Sequence, residues 1–486
     1  MAPSTANSIG HLQHEYIDTD DLRTAFALAM SAMYKREVPL YGTLIRIVRT
    51  TNDETLATSC DARITALKNG DVGRERLDLE RHGAIRLGTP FELQTVRRIF
   101  AIIGLYPVGY YDLSPAGLPM HATCFRPTTS AALKKNPFRV FTTLLRPELL
   151  KDAESRDIAL DLLSRRCIFS SELLELLGVV EKNQGGHLSQ TQGDVFVREA
   201  MKTFGWRPVA AASREIYQKM KDEHPILADV ACFRSSHINH LTPRTLDISA
   251  AQERMKAEGL AVKDRIEGPP VRQCPILLRQ TSFLALEERI LFPGSDSEMT
   301  EGFHKARFGE IEERGAAVTR EGRKLYDRLL EEAMRKTAKS VTSGPIEHSQ
   351  ILSEVFQQYP DTWKELCRRR LVYFTFRCAV NAKAESLPIG TTRDELLAQR
   401  VLEAVPITYE DFLPLSAAGI FQSNLQSGSA KGVDIEEEAA CPDKIGYENA
   451  LGGTLLDLDK LYEETQVASL KTCALELGLG EQDLLN

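Results

Sequence analysis

The chain has 486 residues, 43% of them hydrophobic and 26% charged, and 60 Lys+Arg against 68 Asp+Glu leave a formal net charge of −8. That balance offers no electrostatic attraction to nucleic acid or to an anionic membrane surface, and no apolar run approaches the roughly 18 residues of a membrane-spanning helix. Nine cysteines, odd in number, widely spaced and without a CxxC pair, argue against a zinc ribbon and against a disulfide scaffold.

The N-terminal MAPSTANSIGHLQHEYIDTDDLR lacks the charged and apolar regions of a secretory signal. The expectation is therefore a soluble, intracellular, cytoplasmic protein. No GxGxxG after a strand, phosphate loop, GxSxG or HExxH occurs, so any chemistry has to come from histidines and carboxylates.

Residues 1–75 read as a helical segment. Asp20 is a candidate cap before a run in which Leu22, Phe26, Met30 and Met33 recur at helical spacing. A first module spans 76–146. Its opening strand, within 79–88, places His82, Ala84 and Arg86 on one face. Thr89-Pro90-Phe91-Glu92 reads as a capping box, and the helix it opens stops at Gly104. Strand-like runs follow at 106–113, 119–127 and 137–145, giving the order βαβββ.

A helical insertion (147–232) leads to a second module over 233–318. There a strand at 236–248 precedes a second box, Ser249-Ala250-Ala251-Gln252, and a helix that stops at Gly259. Strand candidates at 260–268, 275–286 and 304–315 repeat the βαβββ order. The remainder, 319–486, reads as a helical region. It contains an apolar, small-residue-rich loop at 409–425, suited to covering a cavity, and a polar surface loop at 423–440. The fold class expected is α+β, with two βαβββ modules forming a central sheet surrounded by helices.

His82 and His240 stand at equivalent places on the first strands of the two modules, so pairing of the modules lets their imidazoles converge. His237 and His240 are an odd number of residues apart and face opposite sides of a straight strand; the register favours His240. Two neutral imidazoles call for an anionic third ligand, and the 2-His-1-carboxylate set selects iron(II) and leaves positions open for substrate and dioxygen. On the last strand, His304, Ala306, Phe308, Glu310 and Glu312 share a face. Glu310 is preferred and Glu312 held in reserve, since spacing alone admits both.

ERHGAIRLGT, PVGYYDLSPAGLP, HINHLTPRTLDI, PILLRQTSF, ARFGEIEERG and YEDFLPLSAAGIFQSN resemble the diagnostic blocks of the 2-oxoadipate dioxygenase/decarboxylase (hydroxyglutarate synthase) family. With MYKREVPLYGTL the resemblance runs from about residue 33 to residue 425. It implies a core similar to vicinal oxygen chelate enzymes and a non-haem Fe(2+) held by His82, His240 and Glu310. The Phe-x-Glu-Ile pattern also resembles the glutamate-ligand strand of hydroxyphenylpyruvate dioxygenases, which favours Glu310.

The family's substrate arginine matches Arg86, and its late substrate-contacting stretch matches Leu415-Ser416, where Leu replaces the Val of other members; His82 and His240 also flank the substrate. Arg86 lies four residues beyond His82, about 13 Å along a strand, a reach suited to the far carboxylate of a six-carbon diacid. The reaction implied is 2-oxoadipate and O2 to 2-hydroxyglutarate, expected as the D form, and CO2, in lysine catabolism. A different dioxygenase on the same core, acting on another 2-oxo acid, and a non-catalytic protein that retains the fold are the competing readings.

Overall fold

Strand β1 (Arg81–Leu87) is buried at every residue, as a strand must be when it has neighbours on both edges and covered faces. In the computed structural model, residues 16–59, 64, 73–294, 298–339, 345–379, 392–413 and 441–485 are described. Helix Pro90–Ile102 follows β1. Thr89 Oγ1 accepts from Glu92 N at 3.2 Å, and Pro90 takes the first turn, where no N–H partner is needed. Glu92 reaches back to Gly88 N (2.8 Å), one residue beyond the cap that a simple box would close on. Gly104, at φ +70°, ends the helix in the left-handed conformation that glycine adopts without a Cβ clash.

Strands β2 (Tyr106–Asp112), β3 (Met120–Arg126) and β4 (Arg139–Leu145) then run antiparallel, and β4 returns parallel to β1. The first module thus has the predicted βαβββ order, with the short helix Ser130–Lys135 added between β3 and β4. Strand β5 (His240–Pro243) opens the second module and pairs antiparallel with β1, completing a sheet of order β2-β3-β4-β1-β5. The two first strands meet at the centre. Gly83 makes this possible, because a Cβ there would lie 2.5 Å from Ile238 Cδ1 and 3.1 Å from the His240 carbonyl oxygen.

The second module is less regular than the sequence suggests. Its extended run is only four residues, 240–243, within the expected 236–248. Helix Ile248–Ala257 is capped by Asp247, whose Oδ1 accepts from Ala250 N at 2.9 Å, and not by Ser249. A carboxylate at the positive end of the helix outcompetes a hydroxyl. Gln252 instead turns inward and donates to Lys263 O (3.0 Å) and Thr281 Oγ1 (3.1 Å). Similarly, Asp18 rather than Asp20 caps helix Thr19–Glu37.

The stretch 260–268 forms only isolated antiparallel bridges, Val262 with Phe283 and Glu267 with Gln280. Strand β6 (Leu278–Ser282) is followed by a hairpin, β7 (Glu287–Pro293) and β8 (Met299–Lys305), where the sequence reading places no strand between 286 and 304. Strand β9 (Glu310–Arg314) pairs with β6, and Arg244 bridges in parallel to Glu312. The order 262–267, β6, β9, β5 therefore repeats β2, β3, β4, β1. This is the paired-module architecture expected, with a hairpin inserted.

The described residues fall into two compact units. One draws on the described residues within 16–263, 281–312 and 441–456, and the other on those within 264–280, 313–413 and 457–485. The first holds the five-stranded sheet and five helices of the 147–232 stretch, Ala153–Ser164, Ser171–Asn183, Gln190–Phe204, Arg214–Glu223 and Pro225–Ala231.

In the second unit, the sequence-based helix through 363–380 is corrected. Helix Trp363–Arg368 is followed by Arg370 at φ +52°, and strand β10 (Phe374–Cys378) pairs with β11 (Leu402–Pro406). The β-branched and aromatic run Val372-Tyr373-Phe374-Thr375-Phe376 favours a pleated strand over a helix. Tyr409 to Leu413 are buried in this unit, whereas the rest of the expected covering loop, with Leu415 and Ser416, lies outside the described residues. Among the described residues no helix is long and apolar enough to cross a membrane.

Two histidines of the first unit make its stability pH-dependent. Burial pushes the His224 imidazole down to about 4, and burial together with the Arg146 cation does the same for His121. Both are neutral when folded and protonate near pH 6.5 when unfolded. The unfolded chain therefore binds more protons between those values, and stability falls as pH drops through that window. The loss is up to about 1.4 kcal/mol per pH unit for each histidine. Denaturant midpoints should decline from pH 7 to pH 4.5, with a shallower slope in His121→Gln; a flat profile contradicts this.

Candidate metal centre

Alternation along β1 puts His82, Ala84 and Arg86 on one face. Across the β1–β5 pair, Ala84 lies opposite His240 and His82 opposite Thr242. Directly opposed residues project to the same side, so His82 and His240 become diagonal neighbours. Their ring centroids are 5.5 Å apart with planes at 90°.

Strand β9 supplies the carboxylates. Glu310 Oε1 lies 2.9 Å from His82 Nε2 and 3.8 Å from His240 Nε2. Glu312, two residues on and on the same face, places Oε2 2.8 Å from His82 Nδ1. One strand therefore holds both nitrogens of one imidazole. A solvated face is the usual fate of two strand glutamates, but here both are fully buried. Thr242 Oγ1 donates to Glu310 Oε1 (2.9 Å), and the Phe308 ring lies 4.7 Å from that of His240.

His82, His240 and Glu310 each offer a ligand atom within 4.8 Å of the others. Two imidazole nitrogens and a carboxylate oxygen, buried and convergent, fit a divalent transition metal. Glu312 belongs to a further layer. Its Oε1 pairs with Arg139 (3.2 Å), and Arg139 also pairs with Glu80 (3.1 Å), which takes Arg76 (2.8 Å) and Arg244 (3.1 Å). This network anchors the carboxylate that fixes the His82 ring, the usual arrangement behind a metal-binding histidine.

The electrostatics divide the two imidazoles. Burial pushes His240 down to about 4, against the pull of Glu310, so its nitrogens stay neutral and able to donate an electron pair. Burial also acts on His82, but Glu312 and Glu310 outweigh it and raise its affinity for a proton. Glu310 resists the upward push of burial because His240, His82 and Thr242 favour its anion.

Arg86 is buried on the same β1 face, and its cation is among the charges acting on His240. Its Nη1 donates to Asp229 Oδ2 from helix Pro225–Ala231. His237 and His304, both weighed as candidates in the sequence, gather instead around Asp229. His304 is the penultimate residue of β8, and the break at residues 306–309 removes it from the face that carries Glu310. His121 sits elsewhere, 4.7 Å from the Tyr447 ring.

Sequence reasoning missed Asp229, Thr242 and the Glu80–Arg139 layer. Thr242 was within reach, since it stands two residues after His240 on one strand; nothing local marks the others.

The comparisons with known proteins agree over nearly the whole length. A profile of the family described as 2-oxoadipate dioxygenase/decarboxylase matches residues 26–424. Proteins of that name from Pseudomonas putida and Escherichia coli are 43% and 45% identical to this chain, covering 96% and 94% of it and 99% of their own lengths. The crystal structure of the hydroxyglutarate synthase from Pseudomonas putida in complex with 2-oxoadipate superposes with a TM-score of 0.85 at 41% identity, over 96% of this chain and 100% of that one. An uncharacterized protein of Shigella flexneri gives a TM-score of 0.81 at 42% identity, covering 94% and 100%. With matches of this identity along nearly the entire sequence and a shared fold, the chain belongs to the 2-oxoadipate dioxygenase/decarboxylase family.

Proposed function

We propose that this protein is an Fe(2+)-dependent enzyme that converts 2-oxoadipate and O2 to D-2-hydroxyglutarate and CO2, with His82, His240 and Glu310 as the metal ligands. The observation that carries the reading is the convergence of those three buried donors, from β1, β5 and β9, within 4.8 Å. Family membership supports the substrate: relatives bear the name 2-oxoadipate dioxygenase/decarboxylase, and one was crystallised with 2-oxoadipate. The equation balances, because a six-carbon oxo diacid loses one carbon as CO2 and gains both oxygens of O2. Lysine catabolism is the setting proposed.

Bound at this site, iron(II) supplies chelation of the 1-carboxylate and 2-oxo oxygens and activation of dioxygen. The chain's own residues do the rest. His240 offers a neutral nitrogen, and Glu310 the single negative charge. Glu312 holds the Nδ1 side of His82, which would leave Nε2, once deprotonated, as the atom to hold the metal. Arg86 takes the far carboxylate through a charge-assisted hydrogen bond, with Leu415 and Ser416 completing the substrate contacts. Burial of all three ligands keeps water from the reacting atoms.

Oxygen stoichiometry tests the reaction. Each turnover should consume one O2 and release one CO2 without added 2-oxoglutarate, and labelled O2 should enter both the new carboxylate and the hydroxyl. A strict requirement for 2-oxoglutarate, or CO2 released with no oxygen uptake, rules the reaction out even if the ligands are right.

A further inference from the structure

Arg86 does not stand alone in the interior. Asp229 Oδ2 accepts from its Nη1. With the Asn239 amide oriented to satisfy both ends, Asn239 Oδ1 also accepts from Nη1 (2.9 Å) while its nitrogen donates to Ala84 O (3.3 Å). The other oxygen of Asp229, Oδ1, is 2.9 Å from His304 Nε2 and 3.3 Å from His237 Nε2. The Tyr217 hydroxyl lies 2.9 Å from His304 Nδ1, so both nitrogens of His304 have hydrogen-bonding partners.

Apolar rings clamp the imidazoles. His304 stacks on Trp206 at 5.8 Å and 9°, His237 meets Trp206 edge-on at 4.6 Å, and Phe233 lies 4.6 Å from His304. The Asp229 carboxylate therefore has little room to rotate. Burial pulls its proton affinity up, but Arg86, His237 and His304 hold it well below the usual carboxylate range, so it stays an anion.

We propose that Asp229 is the positioning residue for Arg86, and that the Asp229–His237–His304–Tyr217 cluster thereby sets which chain length of 2-oxo diacid the site accepts. This rests on the reading of Arg86 as the partner of the distal carboxylate. An arginine side chain has about 2 kcal/mol of rotamer entropy to lose, and an unanchored guanidinium would follow a shorter or longer diacid. A guanidinium fixed by a rigid anion is a stop at one distance from His82, the metal ligand on the same strand. Misplacement of a binding group by about 1 Å can cost on the order of a hundredfold in rate, so a fixed stop converts chain length into selectivity.

Asp229, His237 and His304 also form a second group whose ligand atoms lie within 4.8 Å of one another. The guanidinium on Asp229 and the hydroxyl on His304 favour the hydrogen-bonded reading over a cation there.

The test uses the iron-loaded full chain with Asp229→Asn and Tyr217→Phe, assayed on 2-oxoglutarate, 2-oxoadipate, 2-oxopimelate and the monocarboxylate 2-oxohexanoate. Asp229→Asn should lower kcat/KM for 2-oxoadipate by about tenfold or more, mainly through KM, and flatten the preference for six carbons over five and seven. Turnover of 2-oxohexanoate should stay within about twofold, because it has no distal carboxylate for Arg86 to meet. Tyr217→Phe should move the preference the same way by less, and it carries the test if Asp229→Asn does not fold.

Equal losses on 2-oxohexanoate, or an unchanged chain-length preference, overturn the proposal. So does a second metal equivalent per chain that His304→Gln removes. Arg86→Ala, assayed alongside, separates the two ideas. If it impairs the monocarboxylate as much as the diacid, the reading of Arg86 has failed and the proposal falls with it. If Arg86→Ala is diacid-selective but Asp229→Asn is not, only the positioning role has failed.

Discussion

Glu310→Ala should yield a folded protein that no longer retains iron and has no measurable turnover, as should His82→Ala and His240→Ala. Glu312→Gln should behave differently. Glu310 is the carboxylate whose oxygen lies near the Nε2 atoms of both histidines, 2.9 and 3.8 Å away, whereas Glu312 touches His82 from behind. Loss of an outer partner of this kind costs about 10–100-fold in metal affinity or activity. Glu312→Gln should therefore bind iron more weakly by that order and recover with excess metal, which no ligand variant should do.

Breaking the buried Glu312–Arg139 pair also costs stability, about 3–5 kcal/mol when one partner is removed outright. The glutamine, which keeps a hydrogen-bonding oxygen, is thus a better probe than alanine. Metal content measured on the purified variants, with circular dichroism as the folding control, decides the matter. Iron retained by Glu310→Ala and lost from Glu312→Ala would reverse the assignment.

Arg86→Ala should cut kcat/KM for 2-oxoadipate by roughly ten- to a hundredfold, the equivalent of a charge-assisted hydrogen bond worth about 1.5–3 kcal/mol. The same change strips Asp229 of the cation beside it and leaves a buried carboxylate with only the imidazoles, so the variant should also be less stable. For that reason the informative quantity is the ratio of activities on 2-oxoadipate and 2-oxohexanoate, in which any loss of folded protein cancels. A ratio near that of the parent enzyme would show that Arg86 does not read the distal carboxylate.

The first module was legible because its signals are local. A Pro-led helix with a threonine cap, a glycine stop and three well-separated runs of β-formers each declare themselves within a few residues. The second module obscured its own strands. Read from the sequence, one strand ends at 286 and the next starts at 304, because the charged Glu287-Glu288-Arg289 and the polar stretch 294–302 dilute the alternation of the hairpin Glu287–Pro293 with Met299–Lys305. In the second unit, Phe374–Cys378 reads as helix from the sequence because apolar periodicity in a short aromatic run fits either form.

For the site, the residue types and strand alternation determined a great deal. The histidine on each first strand, the glutamate pair two residues apart and the shared face of His82 and Arg86 all follow from a period of two, which sequence position alone supplies. The tertiary structure decided what period cannot express. Which glutamate meets which nitrogen of His82 depends on how β9 is placed against the β1–β5 pair. That Arg86 is held by Asp229 depends on a helix 143 positions away in sequence. Ion pairs and hydrogen bonds act over a few ångströms and depend on direction, so they are set by the packing of distant segments and leave no trace in local composition.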